Sequence, residues 1–371
     1  MAKIIDGTDW DDRIVQNTSW SAADIYTYDG DDEIILNRVD QYGGSNYVEA
    51  GRGNDIVRNS FEGDNLIYLG SGNDIYIHSG YARDPGYFDK VYGGSGNDTF
   101  QVKSYNSVYY GDTGNDTFYS VGFKNTFNGG DGIDTINYSL QDSSSQKGRG
   151  IYVDLDEGFA KAVSGRYENL SRIENVTGTS YADTLIGTVG SNILKGGSGN
   201  DQLEGLGGND QLYGGNGTDI LYGDAGNDDL YGESGNDRMY GGTGNDDLVG
   251  GAGDDLLVGG AGNDYLVGGS GADTFRFDRI SDSKVGSQRD VINDFRPGSD
   301  DDVIDLRLID ANSNTSADNK FIFIGKNGFS GTAGELRYSG TIISGDVNGD
   351  GVADFQIDAG LTKYYSSDFL L

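Results

Sequence analysis

Aspartate recurs at every ninth position through the middle of this sequence. Residues 196–276 form nine tandem nonapeptides without an insertion, each with glycine in its first half, aspartate at its sixth position and an apolar residue at its eighth. The sixth-position acids are Asp201, Asp210, Asp219, Asp228, Asp237, Asp246, Asp255, Asp264 and Asp273. Stacked carboxylates repel one another unless a hard cation lies between them, and a ligand set of oxygen alone favours calcium. The pattern therefore predicts several Ca2+ ions as cofactor.

Glycine is expected to supply the backbone half of each site. It adopts positive φ without steric cost, so a glycine-rich loop can turn its carbonyl oxygens inward beside the aspartate. The glycines predicted to contribute ligands are Gly197, Gly199, Gly215, Gly217, Gly242, Gly244, Gly251, Gly253, Gly260, Gly262, Gly269 and Gly271. The alternative is a flexible linker, but a linker has no reason to keep an apolar residue at every ninth position.

The nonapeptide period also predicts the fold. One nonapeptide is a turn plus a very short strand, so two of them make one flattened coil, and coils stack at the strand spacing of about 4.8 Å. We expect an all-β chain: a right-handed parallel β-roll or β-helix solenoid with calcium between stacked turns, capped by a C-terminal antiparallel β region. Two degenerate units precede the repeats in the same register, residues 178–186 with Asp183 as a further calcium ligand and residues 187–195 with Asn192.

The first 138 residues carry the same loop in a looser form. Its acids, predicted as calcium ligands, are Asp32, Asp55, Asp74, Asp98, Asp116 and Asp134, with Asp12 as a candidate start of the series. Successive acids are 20, 23, 19, 24, 18 and 18 residues apart, each close to one coil of two units. The alternative is a separate β-domain with incidental Gly-Asn-Asp turns.

A second set of positions in this region predicts a roll with two unlike edges. Nine residues before each later loop acid stands a polar residue without the glycine-rich loop, and an apolar residue follows two positions later. The polar residues are Asn46, Asn65, Asp89, Ser107 and Asn125, and the apolar ones are Val48, Ile67, Val91, Tyr109 and Phe127. One edge would keep calcium loops while the other is closed by a ladder of polar side chains.

Composition excludes several classes of protein. The 371 residues include 26 Lys and Arg against 60 Asp and Glu, a net charge of −34, and no cysteine. Cysteine-based zinc sites, iron–sulfur sites and disulfide scaffolds are excluded, and a chain this acidic repels nucleic acid. Only 35% of residues are hydrophobic, so self-repulsion favours an expanded chain until a cation intervenes. No stretch is apolar enough for a transmembrane segment, and no cleaved signal peptide is expected.

We divide the chain into four predicted segments. Residues 1–138 form an irregular N-terminal roll, residues 139–177 a connector, residues 178–276 the tandem roll, and residues 277–371 a cap. Within them, residues 80–88 are expected to bulge outward and residues 141–150 to form a polar loop.

One stretch of the cap could form a different kind of calcium site. Asp346, Asn348, Asp350 and Asp354 stand at spacings that let their oxygens converge on one ion, although the full helix-loop pattern with its final Glu is missing. A simple Asp/Gly turn between strands is the alternative. The three acids at 300–302 are expected to be mostly solvated.

The nonapeptides match the calcium-binding RTX, or hemolysin-type, repeat, and the C-terminal region resembles that of serralysin-type secreted proteases and related RTX exoproteins. The residues that carry the second resemblance are Asp290-Val291-Ile292, Asp294-Phe295, Ile304-Asp305-Leu306, Gly334-Glu335-Leu336 and Asp368-Phe369-Leu370-Leu371. In that family this region is an uncleaved signal for type I secretion. The resemblance implies the type I secretion machinery as a partner and an extracellular or cell-surface location, reached without a cleaved N-terminal signal.

No motif for catalysis is found. The zinc motif HExxH and the nucleophile elbow GxSxG are absent, and the single histidine, His78, is expected on an exposed strand or loop. We therefore expect a secreted, calcium-dependent, non-enzymatic RTX protein that folds outside the cell and serves as a structural, adhesive or self-assembling surface protein.

The alternative function is a polysaccharide-binding or -modifying module that resembles alginate epimerase repeats or lyases. Residues 83–86 give only a faint echo of the Asp-Pro signature of those enzymes. Cell-surface polysaccharide and further copies of the chain are thus candidate partners. Tyr213, Tyr222, Tyr231 and Tyr240 close successive repeats and are expected to form two outward-facing pairs, one on each sheet.

Overall fold

The computed structural model describes residues 2–16, 22–37, 45–60, 63–80, 88–141, 150–162, 165, 167–298, 300–316 and 318–371. The chain divides into two compact units, Met1–Leu185 (unit 1) and Ile186–Leu371 (unit 2). The expected bulge at 80–88, the polar loop at 141–150 and the sequence at 83–86 fall, apart from their end residues, outside the described part of the chain. The four predicted segment boundaries stay a prediction. No helix among the described residues is long and apolar enough to cross a membrane.

The strands of unit 1 alternate between two sheets as the chain winds. They are β1 (Lys3–Asp6), β2 (Arg13–Val15), β3 (Ala23–Tyr26), β4 (Glu33–Leu36), β5 (Tyr47–Arg52), β6 (Ile56–Asn59), β7 (Leu66–Ser71), β8 (Ile75–His78), β9 (Lys90–Ser95), β10 (Thr99–Val102), β11 (Val108–Thr113), β12 (Thr117–Ser120), β13 (Thr126–Asp131) and β14 (Thr135–Asn137). Odd-numbered strands pair in parallel with one another, and so do even-numbered strands. Each pair of strands is thus one coil.

One apolar residue in each strand points between the two sheets because successive side chains of a strand alternate in direction. The predicted core residues Val48, Ile67, Val91, Tyr109 and Phe127 are all fully buried. Their counterparts on the even sheet are Ile34, Val57, Tyr76, Phe100, Phe118 and Ile136, which are equally buried.

After β14, three antiparallel strands interrupt the parallel roll of unit 1. Strand β15 (Ile151–Asp154) pairs with β16 (Phe159–Ala162), and β16 pairs with β17 (Tyr167–Ser171), both antiparallel. Strand β17 then lies parallel to β13, and β18 (Asn175–Thr177) lies parallel to β14. The end of the predicted connector therefore adds one more coil to the two sheets.

Unit 2 repeats the same design with strict periodicity. After β19 (Thr184–Thr188) at the unit boundary, its roll contains β20 (Ile193–Ser198), β21 (Gln202–Leu206), β22 (Gln211–Asn216), β23 (Ile220–Ala225), β24 (Asp229–Ser234), β25 (Arg238–Thr243), β26 (Asp247–Ala252), β27 (Leu256–Ala261), β28 (Tyr265–Ser270) and β29 (Thr274–Arg276). Paired residues on neighbouring coils are two nonapeptides apart, as Leu212 with Leu230 and Leu221 with Met239. Every apolar eighth-position residue is fully buried, which confirms the predicted β-roll.

The cap begins by extending both sheets and then turns antiparallel. Its elements are β30 (Asp290–Ile292), β31 (Val303–Asp305), β32 (Ile322–Gly325), β33 (Glu335–Ser339), β34 (Ile342–Asp346), β35 (Phe355–Asp358), a 3-10 turn (Ser366–Asp368) and β36 (Phe369–Leu370). Strands β30 and β31 lie parallel to β28 and β29, and β30 also pairs with β35. Strands β33, β34 and β35 are antiparallel, as predicted, and β36 pairs with β31.

Candidate metal centre

The repeat aspartates of unit 2 form a ladder along each edge of the roll. Each carboxylate lies at the end of a glycine-rich turn, just before its strand, and its Oδ1 accepts a hydrogen bond from the backbone N–H of the acid one coil earlier. The donor–acceptor distances are 2.7–3.0 Å along both edges. All of these acids are at most 2% exposed. One oxygen of each carboxylate therefore fixes the register of the coils.

The second carboxylate oxygen has no such role. Oδ2 is buried and accepts no hydrogen bond in Asp210, Asp219, Asp228, Asp237, Asp246, Asp255, Asp264 and Asp273. An unpaired buried carboxylate oxygen costs several kcal/mol unless something positive faces it (~1–3 kcal/mol even for a neutral group). The regular repetition of this atom marks the position at which a cation would be bound.

Backbone carbonyl oxygens lie beside these unpaired carboxylate oxygens. A Cβ placed on Gly241 would lie 2.5 Å from both Asp246 Oδ2 and the carbonyl oxygen of Gly259, which belongs to the next coil. The same two kinds of oxygen surround Gly214, where Asp219 Oδ2 lies at 2.6 Å and the Gly232 carbonyl at 3.0 Å. The space beside the first glycine of a loop therefore collects oxygen from two coils.

The donor set fits calcium rather than a softer metal. No group of three or more His, Cys, Asp or Glu side chains that could hold a metal lies together in the described part of the chain. Each site must then combine carboxylate oxygens with several carbonyls, a hard ligand set that suits Ca2+.

The pKa values of the buried repeat acids also indicate that a cation is needed. Burial raises the pKa of the Asp255 carboxyl to about 7, and the nearby charges of Asp237 and Asp273 add to the rise. Burial likewise raises the pKa of Asp246 to about 7, with a contribution from Asp264 and Asp228. Without a bound cation, keeping these buried carboxylates ionised near neutral pH lowers the stability of the folded roll.

One edge of unit 1 has the same design. The backbone N–H of each loop acid donates to Oδ1 of the next acid at 2.7–2.8 Å, and Asp12 joins this series through its N–H to Asp32. The acids with a buried Oδ2 that accepts no hydrogen bond are Asp32, Asp55, Asp74, Asp98, Asp116 and Asp134. After the last of them Glu174 takes over, since its Oε2 accepts the Asp134 N–H at 2.7 Å. The nonapeptide spacing gave no signal for this substitution.

The opposite edge of unit 1 is the predicted polar ladder. The N–H of Asn46 donates to Asn65 Oδ1 at 3.0 Å, and the N–H of Asn65 donates to Asp89 Oδ1 at 3.0 Å. The N–H of Asp89 donates to Ser107 Oγ and that of Ser107 to Asn125 Oδ1, both at 3.1 Å. All five side chains are at most 2% exposed. The predicted polar ladder is confirmed at this edge, whereas calcium at the opposite edge stays a prediction.

His78 is not where the sequence led us to expect it. The prediction of an exposed residue is wrong: the side chain is fully buried at the end of β8, with Nε2 3.9 Å from Asp89 Oδ2. The alternation of β8 points it inward, in the same direction as Tyr76, whose hydroxyl lies 3.4 Å from that oxygen. Burial raises the pKa of Asp89 to about 6.

Glu168 is a buried acid that sequence reasoning missed. It accepts hydrogen bonds from the Ser120 hydroxyl at 2.8 Å and the Tyr138 hydroxyl at 2.9 Å. Burial raises its pKa to about 7. It ends the polar ladder, because Asn125 Nδ2 also donates to it at 3.4 Å. The alternation of β17 was the only signal that could have placed it inside.

The expectation that residues 300–302 are solvated is wrong for Asp302. Asp300 is half-buried and Asp301 exposed, but Asp302 is 3% exposed. Its Oδ1 accepts the Asp273 N–H at 3.1 Å and its Oδ2 accepts the Arg296 N–H at 2.7 Å. The reason is topological, since Asp302 directly precedes β31 and takes the place of a loop acid.

The two remaining predicted sites have their oxygens engaged by the protein. Asp183 accepts N–H bonds from Ile151 at 2.6 Å and Thr179 at 2.5 Å. Asp346 accepts N–H bonds from Gly349 at 2.7 Å and Gly351 at 2.9 Å.

The other acids of the Asp346 loop also accept hydrogen bonds from the loop itself. Asp354 accepts the Val347 N–H at 2.7 Å and the Asn348 amide at 2.9 Å, and Asp350 accepts the Val352 N–H at 2.8 Å. The loop joins β34 to β35 as a self-bonded turn, unlike the open oxygens of the repeats.

Comparison with known proteins agrees with this geometry. The model of the RTX calcium-binding nonapeptide repeat (4 copies) matches residues 42–76, 86–101, 92–122, 177–212, 204–239, 213–248 and 240–275. The chain therefore contains RTX calcium-binding nonapeptide repeats, in both units. Repeats of this kind bind Ca2+ between turns, so calcium at several sites is its cofactor.

Other comparisons add little. The AlgE6R3 subunit of the mannuronan C5-epimerase from Azotobacter vinelandii, known from a solution structure, is 24% identical over 52% of this chain and 78% of that chain. The TM-score is 0.24, at which the similarity supports no argument. No curated protein matches the chain.

Proposed function

We propose that the chain is a secreted, non-enzymatic protein whose coils are held together by calcium outside the cell, where it serves as a structural, adhesive or self-assembling component. The observation that carries this proposal is the row of buried Oδ2 atoms without hydrogen bonds, repeated along both edges of unit 2 and one edge of unit 1. The ligands would be these aspartates together with the glycine carbonyls of the adjoining loops.

Charge and concentration favour action outside the cell. Extracellular calcium modules bind weakly, with dissociation constants of about 10⁻⁴–10⁻³ M, so their sites fill outside the cell and stay empty inside. About a dozen divalent ions would cancel most of the net charge of −34. Folding and metal binding would then be a single coupled event.

Residues 366–370, in the segment that resembles a type I secretion signal, pack into the cap. Asp368 and Phe369 are each 5% exposed, and β36 pairs with β31 of the cap. A terminal signal of the type I kind could be read only while this pairing is absent, as in the calcium-free chain. The secretion machinery would thus act on the expanded form.

The test is a calcium titration followed by far-UV circular dichroism. In excess chelator we expect a mostly disordered spectrum, and millimolar calcium should restore the β signal cooperatively. Magnesium at equal concentration serves as control, because its small octahedral shell fits poorly among many carbonyls. A β spectrum that survives complete chelation at neutral pH would overturn the proposal.

A second candidate function, polysaccharide binding, is favoured by one surface feature. On the exposed side of the β15–β17 sheet, Tyr152, Phe159, Lys161 and Tyr167 line a cleft of about 220 Å³. The Lys161 ammonium lies 5.4 Å from the centre of the Tyr167 ring. Aromatic rings beside a cation suit the apolar face and the carboxylate of an acidic sugar.

The tyrosine rows are less suited to sugars. Tyr68, Tyr92 and Tyr110 stack on one another with ring centres 4.9 and 4.7 Å apart, so their facing sides are covered more closely than in the cleft, where Tyr152 and Phe159 stack at 5.7 Å. In unit 2, Tyr213 stacks on Tyr231 and Tyr222 on Tyr240 at 5.0 Å, which confirms the two predicted pairs. Incubation with alginate or pectate tests this candidate: retention without turnover indicates binding, whereas unsaturated or epimerised product would contradict a non-enzymatic role.

A further inference from the structure

The aspartate ladders of unit 2 do not end with the last nonapeptide. The Asp264 N–H donates to Asp290 Oδ1 at 2.9 Å, which matches the 3.0 Å link from Asp246 to Asp264 within the repeats. At the other edge, the Asp273 N–H donates to Asp302 Oδ1 at 3.1 Å. Asp290 follows Asp264 by 26 residues instead of 18, so the nonapeptide period does not mark it. Each edge therefore continues by one acid into the cap.

These two terminal acids differ in their second oxygen. Asp302 Oδ2 accepts the Arg296 N–H at 2.7 Å, so the cap itself satisfies that carboxylate. Asp290 is fully buried, and its Oδ2 accepts no hydrogen bond. Among the residues that the structure describes, no Lys or Arg forms an ion pair with Asp290. At one edge the protein therefore satisfies both oxygens of Asp302. At the other edge, Asp290 Oδ2 accepts no hydrogen bond from the described residues.

Two further acids lie near Asp290. Asp264 Oδ2 is also buried without a hydrogen bond, and Asp282, 5% exposed, is held in place by the N–H groups of Asp278 and Arg279. The charges of Asp264 and Asp282 both act on the Asp290 carboxyl. Asp264 and Asp290 therefore leave two buried carboxylate oxygens at this edge, neither of which accepts a hydrogen bond.

We propose that one further Ca2+ binds between Asp264 and Asp290 and joins the cap to the last nonapeptide loop of that edge, whereas the Asp302 edge closes without a metal. The inference rests on the proposed function, since it requires the repeats to bind calcium. Carbonyl oxygens and water complete the shell. Strand β30, which begins at Asp290, pairs with β28 on one side and β35 on the other, so the ion stabilises the junction between roll and cap.

The test counts calcium on the full chain by equilibrium dialysis. Asp290→Asn keeps an oxygen that can accept the Asp264 N–H but removes the charge, and we expect it to bind one calcium fewer than the wild type. Asp302→Asn is the matched control, a buried ladder acid with both oxygens satisfied, and it should bind the wild-type number. An unchanged count in Asp290→Asn would overturn the inference, whereas a wild type that binds no calcium would instead overturn the proposed function.

A second measurement covers the case in which Asp290→Asn does not fold. Crystals of the calcium-loaded wild type should show anomalous difference density between Asp264 and Asp290 and none beside Asp302. Density in the repeat loops with only water beside Asp290 would contradict the inference without affecting the repeat sites.

Discussion

The fourth-position glycines of the repeats are required by conformation and by space. Gly217 has φ of +149°, and a Cβ there would overlap the carbonyl oxygen of Gly199 on the previous coil. We expect Gly217→Ala to lower the free energy of unfolding in calcium by more than about 2 kcal/mol. Gly328→Ala is the control, since its Cβ would meet nothing within 4 Å, and it should change stability by less than about 0.5 kcal/mol. Equal losses in the two variants, measured by thermal unfolding, would contradict this reading of the loop.

Proton and calcium compete for the same carboxylates. The pKa of Asp246 and of Asp255 is about 7 in the metal-free fold, above the ordinary value of 3.8. A raised folded-state pKa means that the metal-free fold gains stability as pH falls through 7 toward 4, while calcium binding must displace those protons. The calcium midpoint should therefore rise severalfold between about pH 8 and about pH 6, and the chain in chelator should gain β signal on acidification. A calcium midpoint independent of pH would show that these acids do not bind the ion.

The nonapeptide period predicted the buried apolar residues of the repeats correctly because each coil repeats the same local geometry. Its assignment of the loop acids to calcium stays a prediction. The period failed where a contact depends on the path of the chain between coils. Asp302 lies in an acidic run that suggests exposure, yet it continues the ladder 29 residues after Asp273. His78 follows the inward alternation of β8, and its polarity alone led to the wrong prediction. Glu174 replaces a ladder aspartate with a longer side chain from outside the register. Such replacements depend on three-dimensional proximity, which no spacing in the sequence records.

The two edges of unit 1 are elements of different chemistry, and they should respond differently to calcium. Removing the Asn125 amide leaves the buried N–H of Ser107 without its acceptor, so Asn125→Ala should cost about 1–3 kcal/mol. The loss should be similar at saturating and at limiting calcium, because no ion is involved at this edge. Asn128→Ala, on the outward side of β13, is the control and should hardly change the free energy of unfolding. A loss that disappears at high calcium would place a metal at this edge as well.

The ladder of unit 2 is a cooperative element, since Asp237 donates its N–H to Asp255 and each acid borders two coils. Replacing both by asparagine should weaken calcium binding and lower the slope of the calcium titration. Asp300→Asn with Asp301→Asn removes the same charge from more exposed positions and should leave the slope unchanged. Calorimetric titration compares the two double variants directly, and equal slopes would exclude a special role for the ladder.

At the scale of the whole molecule, cohesion has to come from ions because apolar burial is thin. Each coil contributes few large apolar side chains to the core, and the chain carries 34 excess negative charges. Such a composition stays expanded in water unless its charge is neutralised. In the proposed function, divalent ions between coils would supply both the missing attraction and the neutralisation, and folding would respond to calcium concentration.

The most direct measurement is an anomalous difference map from crystals of the calcium-loaded protein. We predict peaks beside the Oδ2 atoms of the loop acids along both edges of unit 2 and along the Asp32–Asp134 edge of unit 1, and none along the Asn46–Asn125 edge. Well-ordered loops that hold only water in those positions would contradict the account.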